Sequence, residues 1–251
     1  MNSPMPNPFR PCAVIPVYNH EHALPAVVDA LHAAGLPCVL VNDASSPECT
    51  AVIEQLGEQA DTHVLHLPVN QGKGGAVMAG LREAGKLGFS HALQVDADGQ
   101  HDLSDLSLFL QQAQASPGTL ICAYPHYDHS VPKGRLYARY ITHVWVWINS
   151  LSLQIRDSMC GFRVYPLAPT LALINSANLG KRMDFDTEIL VRLSWRNQPM
   201  SWLPIKVHYP QDGLSHFRLL LDNVLISKMH AKLFFGMLWR SPAILLRRWL
   251  A

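Results

Sequence analysis

Short apolar runs alternate with segments of helical periodicity along the first half of the chain, and no other feature restricts the fold as much. The runs have the length of buried strands, and the segments between them have the 3.6-residue period of amphipathic helices. The predicted order is strand 12–18, helix 23–34, strand 38–41, helix 51–56, strand 63–67, helix 76–86, strand 92–95, helix 103–113 and strand 120–123. This alternation indicates an α/β fold with a mostly parallel, doubly wound sheet and helices on both of its faces.

The pattern changes after Pro125. Residues 137–155 are rich in aromatic and aliphatic side chains, and the sequence then predicts a strand at 161–165, a helix at 186–195 and a strand at 201–209. A chain of 251 residues fits one α/β domain with a peripheral extension. We therefore expect a flexible, proline-rich N-terminus at 1–11, one domain at 12–215 and a separate C-terminal segment at 216–251.

The C-terminal segment is predicted to be a basic, amphipathic helix. The segment contains a single acid, Asp222. Its cations are Arg218, Lys228, Lys232, Arg240, Arg247 and Arg248. This composition is typical of a helix that lies at the surface of an anionic membrane. Packing against the domain, or against a second subunit in a homodimer, is the alternative.

Composition excludes several other classes of protein. The net charge of +1 supplies no overall basic face for nucleic acid. The five cysteines are scattered without a C-x-x-C pair, which favours a reducing, cytoplasmic setting. The chain has neither an apolar secretory signal nor a run of about 20 apolar residues. We therefore expect peripheral attachment to the inner face of a membrane.

Two carboxylates, Asp96 and Asp98, follow the apolar strand at 92–95. In doubly wound sheets, ligands bind beyond the carboxyl ends of the strands. Carboxylate oxygens at such an edge are suitable ligands for Mg²⁺ or Mn²⁺ bound to a diphosphate. A turn with solvated acids is the alternative.

Two further loops after strands carry candidate ligands. Asp43 could accept hydrogen bonds from a nucleoside, although an Asx-turn or a helix N-cap would use the same side chain. The glycine-rich stretch 71–75 precedes a helix, so its backbone amides and Lys73 could approach phosphates. A plain glycine-rich turn is the other interpretation of that stretch.

Six motifs in a fixed order cover roughly residues 12–215 and resemble glycosyltransferase family 2. The branch with the closest resemblance contains dolichyl-phosphate mannose synthase and polyprenyl-phosphate glucosyltransferases. The motifs are I-P-V-Y-N at 15–19, V-N-D-A-S at 41–45, N-Q-G-K-G at 70–74, V-D-A-D-G-Q-H at 95–101, D-S-M-C-G-F-R at 157–163 and F-D-T-E at 185–188.

This resemblance implies a GT-A fold, with a Rossmann-like sheet divided into a donor half at 12–101 and an acceptor half at 102–215. The nucleotide-sugar contacts that it implies are Pro16, Tyr18, Asn19, Glu21, Asp43, Lys73 and Asp96. The metal ligands would be Asp96, Asp98 and Gln100, and Arg163 would bind an anionic acceptor. The catalytic acids that it implies are Asp157, Asp186 and Glu188.

The sequence departs from the family pattern at three places. The acid that usually follows Tyr-Asn is replaced by His20, with Glu21 one place later. The usual Asp-Asp-Gly-Ser is Asn42-Asp43-Ala44-Ser45 here. The arginine that usually follows the fifth strand is missing from 123–125.

The resulting hypothesis is a metal-dependent, inverting transfer of a sugar from a UDP- or GDP-linked donor to a membrane-embedded acceptor. A lipid phosphate is favoured as acceptor and a lipid hydroxyl is the alternative, for which one of the catalytic acids would have to act as base. A sugar-phosphate nucleotidyltransferase ranks lower, because the loop after the first strand lacks a glycine-rich basic motif. A degenerate, non-catalytic transferase docked on the membrane is the alternative of another class.

Overall fold

A seven-stranded mixed sheet forms the centre of the protein. The computed structural model describes residues 8–126, 133–206 and 218–249. The strands are β1 Pro11–Val17, β2 Cys38–Asn42, β3 Thr62–His66, β4 His91–Gln94, β5 Leu120–His126, β6 Arg163–Pro166 and β7 Met200–Lys206. They lie in the order β3-β2-β1-β4-β6-β5-β7. The α/β alternation predicted from the sequence is therefore confirmed.

In the described residues, eight α-helices connect and extend the strands. They are α1 Leu24–Ala33, α2 Pro47–Gly57, α3 Lys73–Lys86, α4 Leu106–Ala115, α5 Lys133–Ser150, α6 Leu167–Ile174, α7 Phe185–Trp195 and α8 Leu219–Trp249. A short 3₁₀ turn at Leu103–Asp105 leads into α4. The aromatic stretch at 137–155 lies largely in α5, whereas α6 was not predicted. The last residues of the strand predicted at 201–209 lie outside the described residues.

Strand β6 runs against its neighbours. It is antiparallel to both β4 and β5, whereas the other neighbouring strands pair in parallel. The start of β6 therefore lies beside the carboxyl end of β4 and the first half of β5, with Arg163 opposite both Gln94 and Cys122. This reversal brings the loop 157–162 to the edge of the sheet where the loops after β1, β2 and β4 also lie.

Alternating side chains of each strand fill two separate cores. In β1, Cys12 and Val14 face α3, α6 and α7, while Ala13, Ile15 and Val17 face α1, α2 and α4. Helix α8 joins the first of these cores through Met229, Leu233, Met237 and Ile244. The C-terminal segment therefore packs on the domain along one face.

Polar contacts also attach α8 to the domain. Asp222 is fully buried and pairs with Arg182 at 3.3 Å. The Trp195 ring lies under the guanidinium of Arg240, and a Cβ at Gly236 would approach that ring to 2.9 Å. Within the described parts of the chain, no helix is long and apolar enough to cross a membrane.

Candidate active site

The loops after β1 and β2 are joined through Asn19. Its side-chain oxygen accepts the amide of Ser46 at 2.8 Å, and its own amide donates to Ser45 Oγ at 3.3 Å. Asn19 and Ala44 both adopt positive φ, at 55° each. Glycine tolerates this left-handed conformation more easily than other residues do, which explains why the family usually has glycine where Ala44 stands here.

Asp43 anchors the glycine-rich loop that precedes α3. The side chain is buried, and its two oxygens accept the amides of Gln71 at 2.6 Å and of Gly72 at 2.9 Å. Burial raises the pKa of this carboxyl, while the two amides act in the opposite direction. Asp43 thus makes neither a local Asx-turn nor an N-cap, and a nucleoside contact remains a prediction.

Lys73, Asp96 and Asp186 form the charged centre of the sheet edge. The Lys73 ammonium lies 2.8 Å from Asp96 Oδ2 and 3.2 Å from Asp186 Oδ2. Burial opposes the Lys73 charge, but Asp186 and Asp96 outweigh burial and raise its pKa. Burial also opposes the Asp96 charge, yet the attraction of Lys73 leaves the pKa of Asp96 lowered. Lys73 and Asp96 are therefore held in their charged forms.

Close packing of Gly161 completes this centre. A Cβ at Gly161 would lie 2.7 Å from Gln94 Nε2 and 3.0 Å from Lys73 Nζ. The loop before β6 therefore touches the carboxylate centre directly, and only a glycine fits at this position without displacing a neighbour.

Asp96 and Asp98 are suited to hold a divalent cation at this edge. Asp96 Oδ1 is buried and has no hydrogen-bond partner among the described residues. Asp98 accepts the backbone amide of Gln100 at 3.0 Å, so the predicted metal ligands lie in one tight turn. The described residues contain no group of three or more His, Cys, Asp or Glu side chains arranged around a metal. Mg²⁺ often uses one or two carboxylates and takes its other ligands from phosphates and water, and the Asp96–Asp98 turn fits that pattern.

The remaining predicted donor contacts lie at the end of β1 and in the loop that follows it. Pro16 is paired with Val41 inside the sheet, and Tyr18 follows the strand directly. Glu21 Oε2 is buried without a hydrogen-bond partner in the described chain, which is the state expected of a group that awaits a ligand. This orphan oxygen supports the prediction that Glu21 takes the place of the acid usually found at position 20.

Asp157 is held by two backbone amides and by an arginine that the sequence did not single out. Its Oδ1 accepts the amides of Met159 at 2.9 Å and Cys160 at 2.7 Å. Its Oδ2 accepts Arg139 Nε at 2.7 Å and also contacts a second nitrogen of the same guanidinium. This carboxylate is therefore already paired with a cation, and its orientation is fixed.

Arg163 is buried inside the protein, next to the backbone of Asp186. The side chain is fully buried and donates to the carbonyls of Ser158 at 2.9 Å and Asp186 at 2.8 Å. These donors are turned into the protein, and the expectation that Arg163 binds an anionic acceptor stays a prediction. It fixes the backbone on which Asp186 is carried.

Glu188 also lies away from the charged centre. Its carboxylate accepts the amide of Gly180 at 2.7 Å and pairs with Arg192 at 2.8 Å and Lys232 at 3.0 Å. Glu188 thus ties α7 to α8 and to the loop before α7. Three donors surround the buried carboxylate, and its catalytic role stays a prediction.

A cavity of about 220 Å³ opens next to Asp157. Its lining is aromatic and cationic, and consists of Tyr124, Pro125, Arg139, Tyr140, His143, Trp147, Arg156 and Asp157. The Arg156 guanidinium lies over the Tyr124 ring at 5.8 Å. Arg156 thus places a cation beside the segment 123–125, where the family's usual arginine is missing. Sequence reasoning overlooked Arg139 and Arg156, although Arg156 directly precedes a recognised motif.

Comparison with known proteins agrees with this geometry. Residues 12–180 match the family described as Glycosyl transferase family 2. A dolichyl-phosphate beta-glucosyltransferase of Drosophila melanogaster is 28% identical over 218 residues, which cover 77% of this chain and 65% of that protein. An undecaprenyl-phosphate mannosyltransferase of Micrococcus luteus is 27% identical over 210 residues, covering 78% of this chain and 83% of the relative. The chain thus spans just under two thirds of the Drosophila relative.

Solved structures show the same fold. Glucosyl-3-phosphoglycerate synthase from Mycobacterium tuberculosis, crystallised with Mn²⁺ and UDP-glucose, superposes with a TM-score of 0.65 at 14% identity. The superposition covers 93% of this chain and 79% of that one. It confirms the predicted GT-A fold. The fold, the ordered motifs and the match over residues 12–180 together show that this chain belongs to glycosyl transferase family 2.

Proposed function

We propose that the chain transfers a sugar, with inversion, from a nucleotide-diphosphate sugar to the phosphate of a polyprenyl-phosphate lipid. The observation that carries this proposal is the cationic, aromatic cavity that adjoins the charged centre. Asp157 lines the cavity, and a Cβ added at Gly161 in the same loop would lie 3.0 Å from Lys73 Nζ. An anionic acceptor and an anionic donor can therefore bind on either side of one short loop. The names of the Drosophila and Micrococcus relatives point to the same class of acceptor.

The state of the acids favours a phosphate acceptor over a hydroxyl. A hydroxyl needs a carboxylate that can take up its proton, whereas a phosphate is already an anion at neutral pH. Asp157 is engaged by Arg139 and two amides, Asp186 by Lys73, and Glu188 by three donors. Each of these carboxylates already accepts hydrogen bonds or ion pairs from protein donors, so the site suits an acceptor that needs no base.

Each charged group then has a role in transfer. Arg139 and Arg156 orient the acceptor phosphate, because guanidinium groups form strong, directional hydrogen bonds with phosphate oxygens. Lys73 lies where it can approach the donor diphosphate. Mg²⁺ or Mn²⁺ held by Asp96 and Asp98 would neutralise charge on the departing nucleoside diphosphate. Asp186 keeps Lys73 in place, and the buried Arg163 keeps Asp186 in place.

The C-terminal helix brings the enzyme to its lipid acceptor. Helix α8 buries one face in the domain and exposes apolar and basic side chains on the other, including Trp239, Trp249 and Arg247. Tryptophan and arginine suit the headgroup layer of a membrane. We place the enzyme on the cytoplasmic face of the membrane, where nucleotide sugars are available.

The test is transfer of labelled sugar from a panel of UDP- and GDP-sugars into lipid, with and without added polyprenyl phosphate and Mn²⁺. We expect label in lipid only when polyprenyl phosphate is present. Asp98→Asn should reduce the rate about a hundredfold, because one charge that supports the leaving group is lost. Asp29→Asn, on the exposed face of α1, is the matched control and should leave the rate unchanged.

Two results would contradict the proposal. Label that enters lipid equally well without polyprenyl phosphate would indicate a hydroxyl acceptor. An unchanged rate in Asp98→Asn would remove the metal-assisted mechanism.

A further inference from the structure

Helix α5 carries a stripe of exposed apolar side chains that the proposed reaction does not use. These side chains are between 39% and 64% exposed, and they belong to Tyr140, Ile141, Val144, Trp145 and Ile148. Their spacing places them on one face of the helix. The opposite face is buried, where the carbonyl of Asn149 accepts Trp195 Nε1 at 2.8 Å. The stripe therefore faces away from the domain.

The stripe on α5 is continuous with exposed apolar residues of α8. The Trp145 ring lies 6.1 Å from the ring of His230 and 6.3 Å from that of Phe234. Phe234 in turn contacts Phe235, which is 69% exposed. The exposed apolar residues of α8 beyond this point are Leu238, Trp239, Leu245, Leu246 and Trp249. We call these residues, together with the α5 stripe and Phe235, the α5–α8 surface.

The exposed charges that α5 and α8 themselves contribute to the α5–α8 surface have one sign. Helix α5 contains no acid, and the only acid of α8 is Asp222, which is fully buried against Arg182. Exposed cations of α8 include Lys228 and Arg247. Apolar side chains flanked by cations are complementary to a bilayer with anionic headgroups.

A second copy of the chain is a poorer occupant of the same surface. In a two-fold dimer the same patch would meet itself, so cations such as Lys228 and Arg247 would face cations. No exposed acid of α5 or α8 is available among the described residues to compensate them. The charge pattern therefore selects lipid over self-association.

We infer that α5 inserts its apolar stripe into an anionic bilayer beside α8, so that the acceptor cavity opens at the level of the membrane. Tyr140 carries this inference, because it lines the cavity and is also the first residue of the stripe. The phosphate of a lipid could then reach Arg139 and Arg156 while its prenyl chain remains in the bilayer. The inference rests on the proposed function for the identity of the acceptor.

A fluorescent label can test the position of α5 directly. All five native cysteines are buried, so a nitrobenzoxadiazole group can be attached selectively to Ile148→Cys on the stripe. Leu108→Cys on α4 is the matched control, since Leu108 is 46% exposed and α4 packs on the opposite face of the sheet. The vesicles contain phosphatidylcholine and phosphatidylglycerol without polyprenyl phosphate. We expect a blue shift, and quenching by nitroxide lipids, at position 148 only.

Two outcomes would overturn the inference. If the label at position 148 kept the emission wavelength that it has in water while the protein sedimented with vesicles, α8 would dock without α5. A spectral change that depends on protein concentration and needs no vesicles would show that a second copy covers the surface.

Activity separates this inference from the proposed function. The double variant Ile141→Ser/Ile148→Ser should lose at least tenfold in transfer to polyprenyl phosphate embedded in vesicles, because two exposed apolar side chains that would enter the bilayer are removed. Transfer to a short-chain, water-soluble polyprenyl phosphate should be unchanged. Equal loss with both acceptors would contradict docking through α5. Absence of transfer by the unmodified enzyme with either acceptor would defeat the proposed function, while the label would still decide the docking.

Discussion

At the edge of the sheet the central charges are paired within the protein, whereas on the α5–α8 surface the cations have no nearby acid in the described chain. Lys73 is shared by Asp96 and Asp186, but Lys228 and Arg247 project from a helix whose only acid is buried elsewhere. The first region is organised by its own ion pairs before any ligand arrives, and Asp96 Oδ1 still lacks a hydrogen-bond partner among the described residues. The cations of the second region need an external anionic partner, and the binding of this surface to an anionic bilayer should weaken as salt screens the cations.

The largest expected effect comes from removing the cation at the sheet edge. Lys73→Met leaves Asp96 and Asp186 close together without their shared partner, which should lower the free energy of unfolding by about 3 kcal/mol. Mn²⁺ should restore part of the loss, because a bound cation stabilises the folded state. Chemical denaturation in EDTA and in Mn²⁺ measures both changes.

The control for this prediction lies on the same helix. Lys86 is exposed and pairs only with Glu83 in the described structure, so Lys86→Met should change stability by less than about 0.5 kcal/mol. If Lys73→Met were as stable as the unmodified protein in EDTA, the ion pairs at the sheet edge would not be the organising feature that we describe.

An intermediate effect is expected in the cavity between the two regions. Arg156→Met should raise the KM for polyprenyl phosphate about tenfold, because one charged hydrogen-bond donor to the phosphate is lost. The KM for the sugar donor should not change. Steady-state kinetics with each substrate varied in turn gives both values, with the exposed Arg196→Met as control. A rise in the donor KM alone would assign Arg156 to the other side of the reaction.

The smallest effect concerns pH and the packing beneath the α5–α8 surface. Burial lowers the pKa of His143 on α5 and of His230 on α8. The unfolded chain therefore binds more protons than the folded protein below about pH 6.5, so the free energy of unfolding decreases as the pH falls through that value. We expect the melting temperature to drop by a few degrees between pH 7.5 and pH 5.5.

His230→Gln tests this assignment. It removes one of the histidines whose pKa is lowered, so the dependence of the melting temperature on pH should become shallower. His22→Gln is the control, since the side chain of His22 is 95% exposed. A steeper dependence in His230→Gln would contradict the sign that we derive.

The sequence predicted the fold well where the physical signal is local. Hydrophobic periodicity located the strands and most helices, because a buried face imposes its period on the residues of each element. Helix α6 was missed, since its eight residues follow β6 without a break in apolar character. The reversed direction of β6 was missed as well. Strand direction depends on pairing with distant residues, and the sequence of a four-residue strand contains no pattern that indicates it.

The sequence predicted the candidate site less evenly. Motifs placed Lys73, Asp96 and Asp186 among the site residues, and the structure brings them together. Motifs do not show what a side chain contacts, so the burial of Arg163 and Glu188 among protein partners was not predicted. Arg139 lacked any motif of its own, since its importance comes only from its position opposite Asp157.

The place of β6 in the sheet also bears on how the chain folds while it is being synthesised. β6 fills the gap between β4 and β5, yet it follows both of them in the sequence. Until residues 163–166 have left the ribosome, β4 has one unpaired edge and β5 has no partner on that side. Unpaired strand edges promote aggregation, so the nascent chain is most exposed to misassembly during this interval. The strand that fills the gap begins with Arg163, and the side chain of Arg163 also holds the backbone of Asp186.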